Sequence, residues 1–336
     1  MPSSPAAIAD HSDAFPHVRG LYDYWAQRTR QADAQPLPDM QARILLDMLG
    51  LGLEQTMRHV GIDTPDYPAF EAWIAATAGL PDPDALDRYH AWLDGAPVPE
   101  ATRRRLRAIE DAPPVLDAAD LAHWDEHGYV IVRSAITADE AKAAETLLWR
   151  TVQARPEDTD SWYRVRNNGI MVQVFQDPAL DAIRRSARAH KAFAQLWGTA
   201  DLWASVDRMS FNPPERPGRA FPGPKLHWDV SLALPIPFGT QGILYFTDTS
   251  ADQGAFELVP GFHRGIESWL DELGDADPRQ VDLSAEAQRI PARAGDLIIW
   301  RQELPHGASP NSADRPRMAQ YMTMYSADYQ AQTVWR

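Results

Sequence analysis

From Trp203 to Tyr325 the chain is a series of short apolar runs separated by glycine and proline, and few folds accept that rhythm. The runs fall at 203–211, 225–234, 242–249, 255–259, 296–300 and 317–325. Runs of this length, bounded by turn residues and rich in aromatic and β-branched side chains, read as strands. Successive strands with Gly and Pro in the gaps point to an antiparallel barrel or jelly roll. The expected fold class is mainly β with flanking helices (α+β).

Upstream the pattern is helical. Across 39–60, Ile44, Leu45, Met48, Leu49, Leu53, Met57 and Val60 recur at helical spacing. Shorter helical pieces carry Phe70, Trp73 and Ile74, then Leu86, Tyr89, Trp92 and Leu93. The stretch Asp111-Ala-Pro-Pro-Val115 reads as a joint. It separates a helical accessory region, 1–112, from a second domain, 113–336. That domain opens with a helix over 121–127 stopped by Gly128, then a strand over 129–132. Thr137 and Glu140 form a capping box for a helix reaching about residue 154, and a further helix covers 178–197 with Pro178 in its first turn.

Bulk composition closes off several classes of function. A chain of 336 residues with 44% hydrophobic content buries a large core. It has no apolar run of about 18 residues or more and no signal-peptide layout at its start, so a cytoplasmic protein is expected. The absence of cysteine excludes disulfides, thiolate metal sites and cysteine nucleophiles. A formal charge of −15 argues against nucleic acid or an anionic membrane as the main partner. A small-molecule substrate is the expectation.

Three His-x-Asp triplets occur: His11/Asp13, His123/Asp125 and His227/Asp229. On a strand, residues i and i+2 share a face and can reach one ion. On a helix they stand about 200° apart. His123 and Asp125 fall in a helical stretch, and His11 and Asp13 in the N-terminal tail. Only His227 and Asp229 have a strand context, with Leu226, Trp228 and Val230 alternating to the other face. His263 follows the turn Pro260-Gly261-Phe262 and is a weaker candidate. His306 follows the apolar run 296–300 and pairs naturally with the triplet. Two histidines and one carboxylate leave three octahedral positions open, the arrangement of non-haem iron(II) oxygenases. Catalytic zinc more often keeps one open position beside a general base, and no such base stands out by motif. Arg317 follows the turn 310–314, so it can lie beside the strand of His306 and offer a planar two-pronged donor to a keto-acid carboxylate. Arg315 shares its strand parity but adjoins Pro316 and the turn.

With these residues in order, residues 117–325 resemble the phytanoyl-CoA dioxygenase family of iron(II)- and 2-oxoglutarate-dependent oxygenases. The likeness runs through LAHWDEHGYVIVRSAITADEA, HWD, GILYFTDT, GAFELVPGFHR, AGDLIIWRQELPHG and PNSADRPRMAQY. It implies a double-stranded β-helix (jelly-roll, cupin-like) core. It implies His227, Asp229 and His306 as ligands of iron(II), Arg317 on the distal carboxylate of 2-oxoglutarate, and Tyr245 beside that cosubstrate. It implies oxidation by dioxygen of an unactivated C–H bond, most simply hydroxylation, with release of succinate and carbon dioxide. Members often carry a hydroxyl residue two positions after the distal histidine; here Ala308 stands there and Ser309 follows. Related halogenases have a small residue at the carboxylate position, so Asp229 argues against halogenation. The rival readings are a non-redox cupin-type isomerase, which has no need of a keto-acid anchor such as Arg317, and a silent small-molecule-binding barrel, which the intact ligand set disfavours.

The substrate is less well marked. Residues 160–230, Arg166 among them, hold ten Lys/Arg against seven Asp/Glu in an otherwise acidic chain, which suits an anionic molecule. Arg208, just before the metal segment, is the candidate to face it, with Gln173, Trp162 and Tyr163 as further lining.

Overall fold

The structure, a computed structural model, describes residues 15–164, 169–223 and 225–336. It divides into two compact units, Met1–Arg104 and Arg105–Arg336. In the first, helices α1 (Leu21–Arg28), α2 (Asp39–Met48), α3 (Leu53–Arg58), α4 (Tyr67–Ala78) and α5 (Pro83–Leu93) bury Tyr24, Ile44, Phe70 and Tyr89. Asp66 and Asp82 cap α4 and α5 by accepting from the amides of Ala69 and Ala85, with Pro in the first turn of each. The expected single helix over 39–60 is two: Gly50, at φ 71°, closes α2, and Gly52 opens α3. Helix α3 then runs into a π-helical turn, His59–Asp63. The boundary between the units falls within α6 (Glu100–Asp111).

The second unit continues with α7 (Ala118–His127), β1 (Tyr129–Val132), α8 (Ala138–Thr151), β2 (Met171–Val172), α9 (Pro178–Arg184) and α10 (Ala187–Trp197). Strands β3 (Trp203–Ala204), β4 (Met209–Asn212), β5 (Thr240–Tyr245) and β6 (Phe256–Leu258) follow, then α11 (Ile266–Leu273). The last elements are β7 (Gln288–Ile290), β8 (Leu297–Arg301), β9 (His306–Ala308), β10 (Arg317–Tyr321) and β11 (Met324–Tyr325). A six-stranded antiparallel sheet has the order β1-β8-β5-β10-β4-β2. A smaller sheet, β7-β6-β9, is extended by a bridge between His227 and His306.

Alternation along the strands assigns the two faces. Leu244, Leu297, Ile299 and Met318 point outward onto Leu148, Ile183 and Phe193 of α8, α9 and α10. Ile243, Tyr245, Ile298, Trp300 and Ala319 point inward and meet Phe256, Leu258 and Ile290 of the smaller sheet. The larger sheet is covered on both faces, which is why Leu-Ile-Ile-Trp in β8 is apolar throughout. Two sheets closed around an interior make this a double-stranded β-helix with a helical outer layer. Among the described residues, no helix is long and apolar enough to cross a membrane.

Several expected elements are shorter or broken. The run 225–234 is no full strand; only His227 makes a bridge. The run 203–211 splits into β3 and β4, and 317–325 into β10 and β11. The helix expected over 178–197 breaks because the Ser186 hydroxyl accepts from the amide of Ala189 and starts α10 afresh. The Thr137/Glu140 capping box forms in both directions, and α8 ends at Thr151.

Gly242 in β5 lies so close to the Met322 carbonyl that a Cβ there would overlap it. Gly242→Ala is expected to destabilise the second unit by about 1–3 kcal/mol, the range for overpacking a tight site. An unchanged urea midpoint would show that the Met322 backbone yields.

Candidate metal centre

The site begins with two backbone hydrogen bonds. The amide of His227 donates to the carbonyl of His306 at 2.9 Å, and the amide of His306 donates back at 3.0 Å. The exchange brings the two imidazole centroids to 4.8 Å. Gly307 permits it, since a Cβ there would press on the Lys225 carbonyl at 3.0 Å. His306 is buried, with Trp300 and Phe256 around its ring. His227 and Asp229 point one way, while Trp228 between them points into Leu232, Val259, Ile266 and Leu270. The Trp228 indole donates to the Glu303 carbonyl at 2.9 Å.

In both histidines Nδ1 is turned to a backbone carbonyl, Lys225 at 2.8 Å for His227 and Leu304 at 3.0 Å for His306. A proton on each Nδ1 leaves Nε2 as the coordinating atom, the usual outer-shell arrangement of metal-binding histidines. The two Nε2 atoms face the oxygens of half-exposed Asp229, at 3.4 Å from His227 and 3.2 Å from His306. One donor atom from each of the three residues lies within 4.8 Å of the others. Burial would raise the Asp229 carboxyl, but hydrogen bonds and charge from the two imidazoles hold it far below the usual carboxylate range. Burial likewise opposes a charge on His227, yet Asp229 and the Lys225 carbonyl keep its pKa above the ordinary imidazole value.

Gln241, which the motif reading did not single out, touches this group directly. Its Nε2 donates to Asp229 Oδ2 at 2.6 Å, and its Oε1 accepts from the Trp300 indole at 3.1 Å. Trp300 faces Gln241 in the β5–β8 ladder, so its donor dictates which way the amide points. The available signal was parity: Gln241 alternates with the interior residues Ile243 and Tyr245.

Arg317 is completely buried on β10 and shares interior parity with Ala319. Its Nε donates to the Gly254 carbonyl at 3.1 Å, while Nη1 and Nη2 have no partner among the described residues. A buried guanidinium with two unmet NH2 groups is unfavourable without an anion. Those two groups fit one end of a dicarboxylate. Tyr245 lies in the field of Arg317; burial pushes its phenol up to about 12, and the arginine charge partly offsets this. Its hydroxyl accepts from the amide of Phe256 at 2.8 Å. Arg315 is exposed. Ser309 donates to the Ala255 carbonyl at 2.9 Å, so its hydroxyl is engaged with the backbone.

A cavity over the three residues is lined by Met171, Asp207, Arg208, Gln241, Tyr321 and Thr323. Arg208 is thus brought to the site, together with Asp207, which was not expected there. Trp162 and Gln173 are not. Trp162 donates to the Arg155 carbonyl and lines a different cavity with Tyr163 and Phe211, while Gln173 is exposed. His123 packs against His127 and Tyr129. His263 sits against Gly128 and near the Asp125 carbonyl, its pKa lowered to about 4 by burial and by Arg301. His11, Asp13 and Arg166 lie outside the described residues.

The family described as Phytanoyl-CoA dioxygenase (PhyH) matches residues 124–319, more than half of the chain. A Dictyostelium discoideum protein named "Putative phytanoyl-CoA dioxygenase" is 27% identical over 261 residues, covering 60% of this chain and 73% of that protein. "Dioxygenase af480" of Aspergillus fumigatus is 27% identical over 218 residues, covering 62% of this chain and 66% of that protein. Among solved structures, EctD from S. alaskensis with 2-oxoglutarate and 5-hydroxyectoine has a TM-score of 0.47 at 16% identity, over 65% of this chain and 79% of that one.

Removing the amide donor at Gln241 should loosen Asp229 without touching either histidine. Gln241→Leu is expected to weaken iron(II) binding by roughly 10-fold or more, the scale of lost outer-shell hydrogen bonds. Anaerobic titration of the folded variant checks this, and a wild-type affinity would leave Gln241 a bystander.

Proposed function

From its membership of the phytanoyl-CoA dioxygenase family, to which this chain belongs, we propose that this iron(II)- and 2-oxoglutarate-dependent oxygenase hydroxylates an unactivated C–H bond of a small anionic molecule. His227, Asp229 and His306 hold the iron, through Nε2 of each ring and a carboxylate oxygen. Arg317 takes the distal carboxylate of 2-oxoglutarate with Nη1 and Nη2, and Tyr245 flanks the same cosubstrate. With iron, 2-oxoglutarate and dioxygen bound, the chemistry supplied is oxidative decarboxylation to succinate and carbon dioxide, coupled to oxidation of the substrate.

The chain's own groups do the positioning. The backbone carbonyls of Lys225 and Leu304 keep protons on the two Nδ1 atoms, so that Nε2 stays free to coordinate. Gln241 engages Asp229 Oδ2 and orients that carboxylate. Trp300 and Phe256 shield the buried side of His306 from water. Arg208, on the cavity wall, supplies the positive charge for an anionic group of the substrate. The observation that carries the reading is the buried Arg317 fork on the interior face of the barrel that holds the three-residue cluster. An isomerase has no use for that fork, and a silent binding barrel has none for the three converging ligand atoms.

Protein given iron(II) without oxygen should develop a weak visible absorption band only when 2-oxoglutarate is added. Admitting oxygen should then produce succinate, slowly alone and faster with the right substrate. His227→Ala and His306→Ala should abolish iron binding, whereas His263→Ala should retain it. Loss of iron in His263→Ala alone would overturn the ligand assignment.

Arg317→Ala should weaken 2-oxoglutarate binding by roughly 100-fold, because a charge-assisted pair worth a few kcal/mol is lost. Arg315→Ala should have little effect, and an equal loss in both would sink the assignment of the fork. Arg208→Ala should raise the requirement for an anionic substrate while leaving uncoupled succinate formation intact.

A further inference from the structure

Asp229 is the ligand candidate least supported by regular structure. His227 is tied to β9, but the segment after it joins no ladder. The chain bends at Asp229 and Val230. Trp228 and Val230 flank Asp229, and both their carbonyls are taken by one side chain. Arg279 Nη1 donates to Trp228 at 2.7 Å, and Nη2 donates to Val230 at 2.6 Å. A planar guanidinium offers two donors in a fixed fork, so both carbonyls are tied to one rigid group.

Arg279 is itself held from the far side. Its Nη2 also donates to the Arg336 carbonyl at 3.1 Å, and the Trp335 ring lies 4.8 Å from its guanidinium carbon. Residues 332–336 then pair with the chain just past Asp229. Gln332 Nε2 donates to the carbonyls of Ser231 at 3.1 Å and Ala233 at 2.8 Å, and Ser231 Oγ donates to the Val334 carbonyl at 2.7 Å. The amide of Leu232 donates to Arg336 at 3.1 Å. At the base of the clamp, Asp277 caps the turn that carries Arg279 by accepting from its amide at 2.9 Å.

We propose that Arg279 and the strap formed by residues 332–336 are positioning elements for Asp229, holding a bent segment that joins no ladder so that its carboxylate meets the same ion as the two histidines. The proposal rests on the reading that His227, Asp229 and His306 hold iron(II). Neither Arg279 nor the strap touches the ion. They act through the backbone on either side of Asp229.

Anaerobic iron(II) titration of the full chain tests this, with amide hydrogen exchange over residues 228–233 as a second readout. Arg279→Gln should weaken iron binding by roughly 10- to 100-fold and speed exchange in that segment. Arg279→Lys should not restore it, since a single ammonium does not span both carbonyls. Trp335→Ala and Gln332→Ala, which leave Arg279 in place, should shift both readouts in the same direction by smaller factors. They keep the test open if Arg279→Gln does not fold. Ile183→Ala, in the helical layer, serves as a control for general destabilisation. Wild-type affinity in the Arg279 and strap variants would overturn the proposal, as would an equal loss in the control. A wild-type chain that binds no iron would instead overturn the ligand assignment, and this inference with it.

Discussion

The candidate site depends on the mutual backbone hydrogen bonds between His227 and His306. They join two parts of the chain far apart in sequence and set both imidazoles side by side. Everything else at the centre adjusts to that pair. The neighbouring carbonyls turn each Nδ1 inward, Asp229 comes round to face both Nε2 atoms, and Gly307 keeps the two segments in contact. A β-ladder is a good foundation for this, because its spacing is set by the backbone and changes little with side-chain motion.

Arg317 is the other structural commitment. Burying a guanidinium with two unmet NH2 groups works against folding by about 1–3 kcal/mol for each group. The rest of the barrel offsets this with Tyr245, Phe256, Leu258, Ile290, Ile298 and Trp300 packed between the sheets. An anion arriving at Arg317 would recover part of that deficit, so anion binding there would add to stability. Tyr245, which lies in the field of Arg317, is engaged with the amide of Phe256, while both Nη atoms stay unmet among the described residues.

Much of the fold could be read along the chain, because β5, β8 and β10 carry the alternation that two covered faces require. The capping box of Thr137 and Glu140, and the stop at Gly128, are local chemistry and appear in the structure as expected. Where local chemistry competed with periodicity, periodicity misled. Gly50 and Gly52 broke a continuous apolar stripe, and Ser186 divided another. The run 225–234 looked like a strand by composition. It is held instead by Arg279, by residues 332–336 and by the insertion of Trp228, none of which a local window contains.

By itself, the sequence determined which residue types could carry iron and keto-acid chemistry, and that the chain would build a two-faced antiparallel core. His-x-Asp spacing and the arginine after the turn are properties of neighbours in the chain, so they survive without coordinates. Only the tertiary structure decided that Gln241 and not Gln173 reaches the site, that Asp207 stands beside Arg208, and that Trp162 lines another cavity. It also decided that Arg279 reaches the backbone carbonyls on either side of Asp229. These are contacts across sheets and between distant segments, and they depend on which edges and faces meet once the barrel has closed, which spacing along a single chain does not encode.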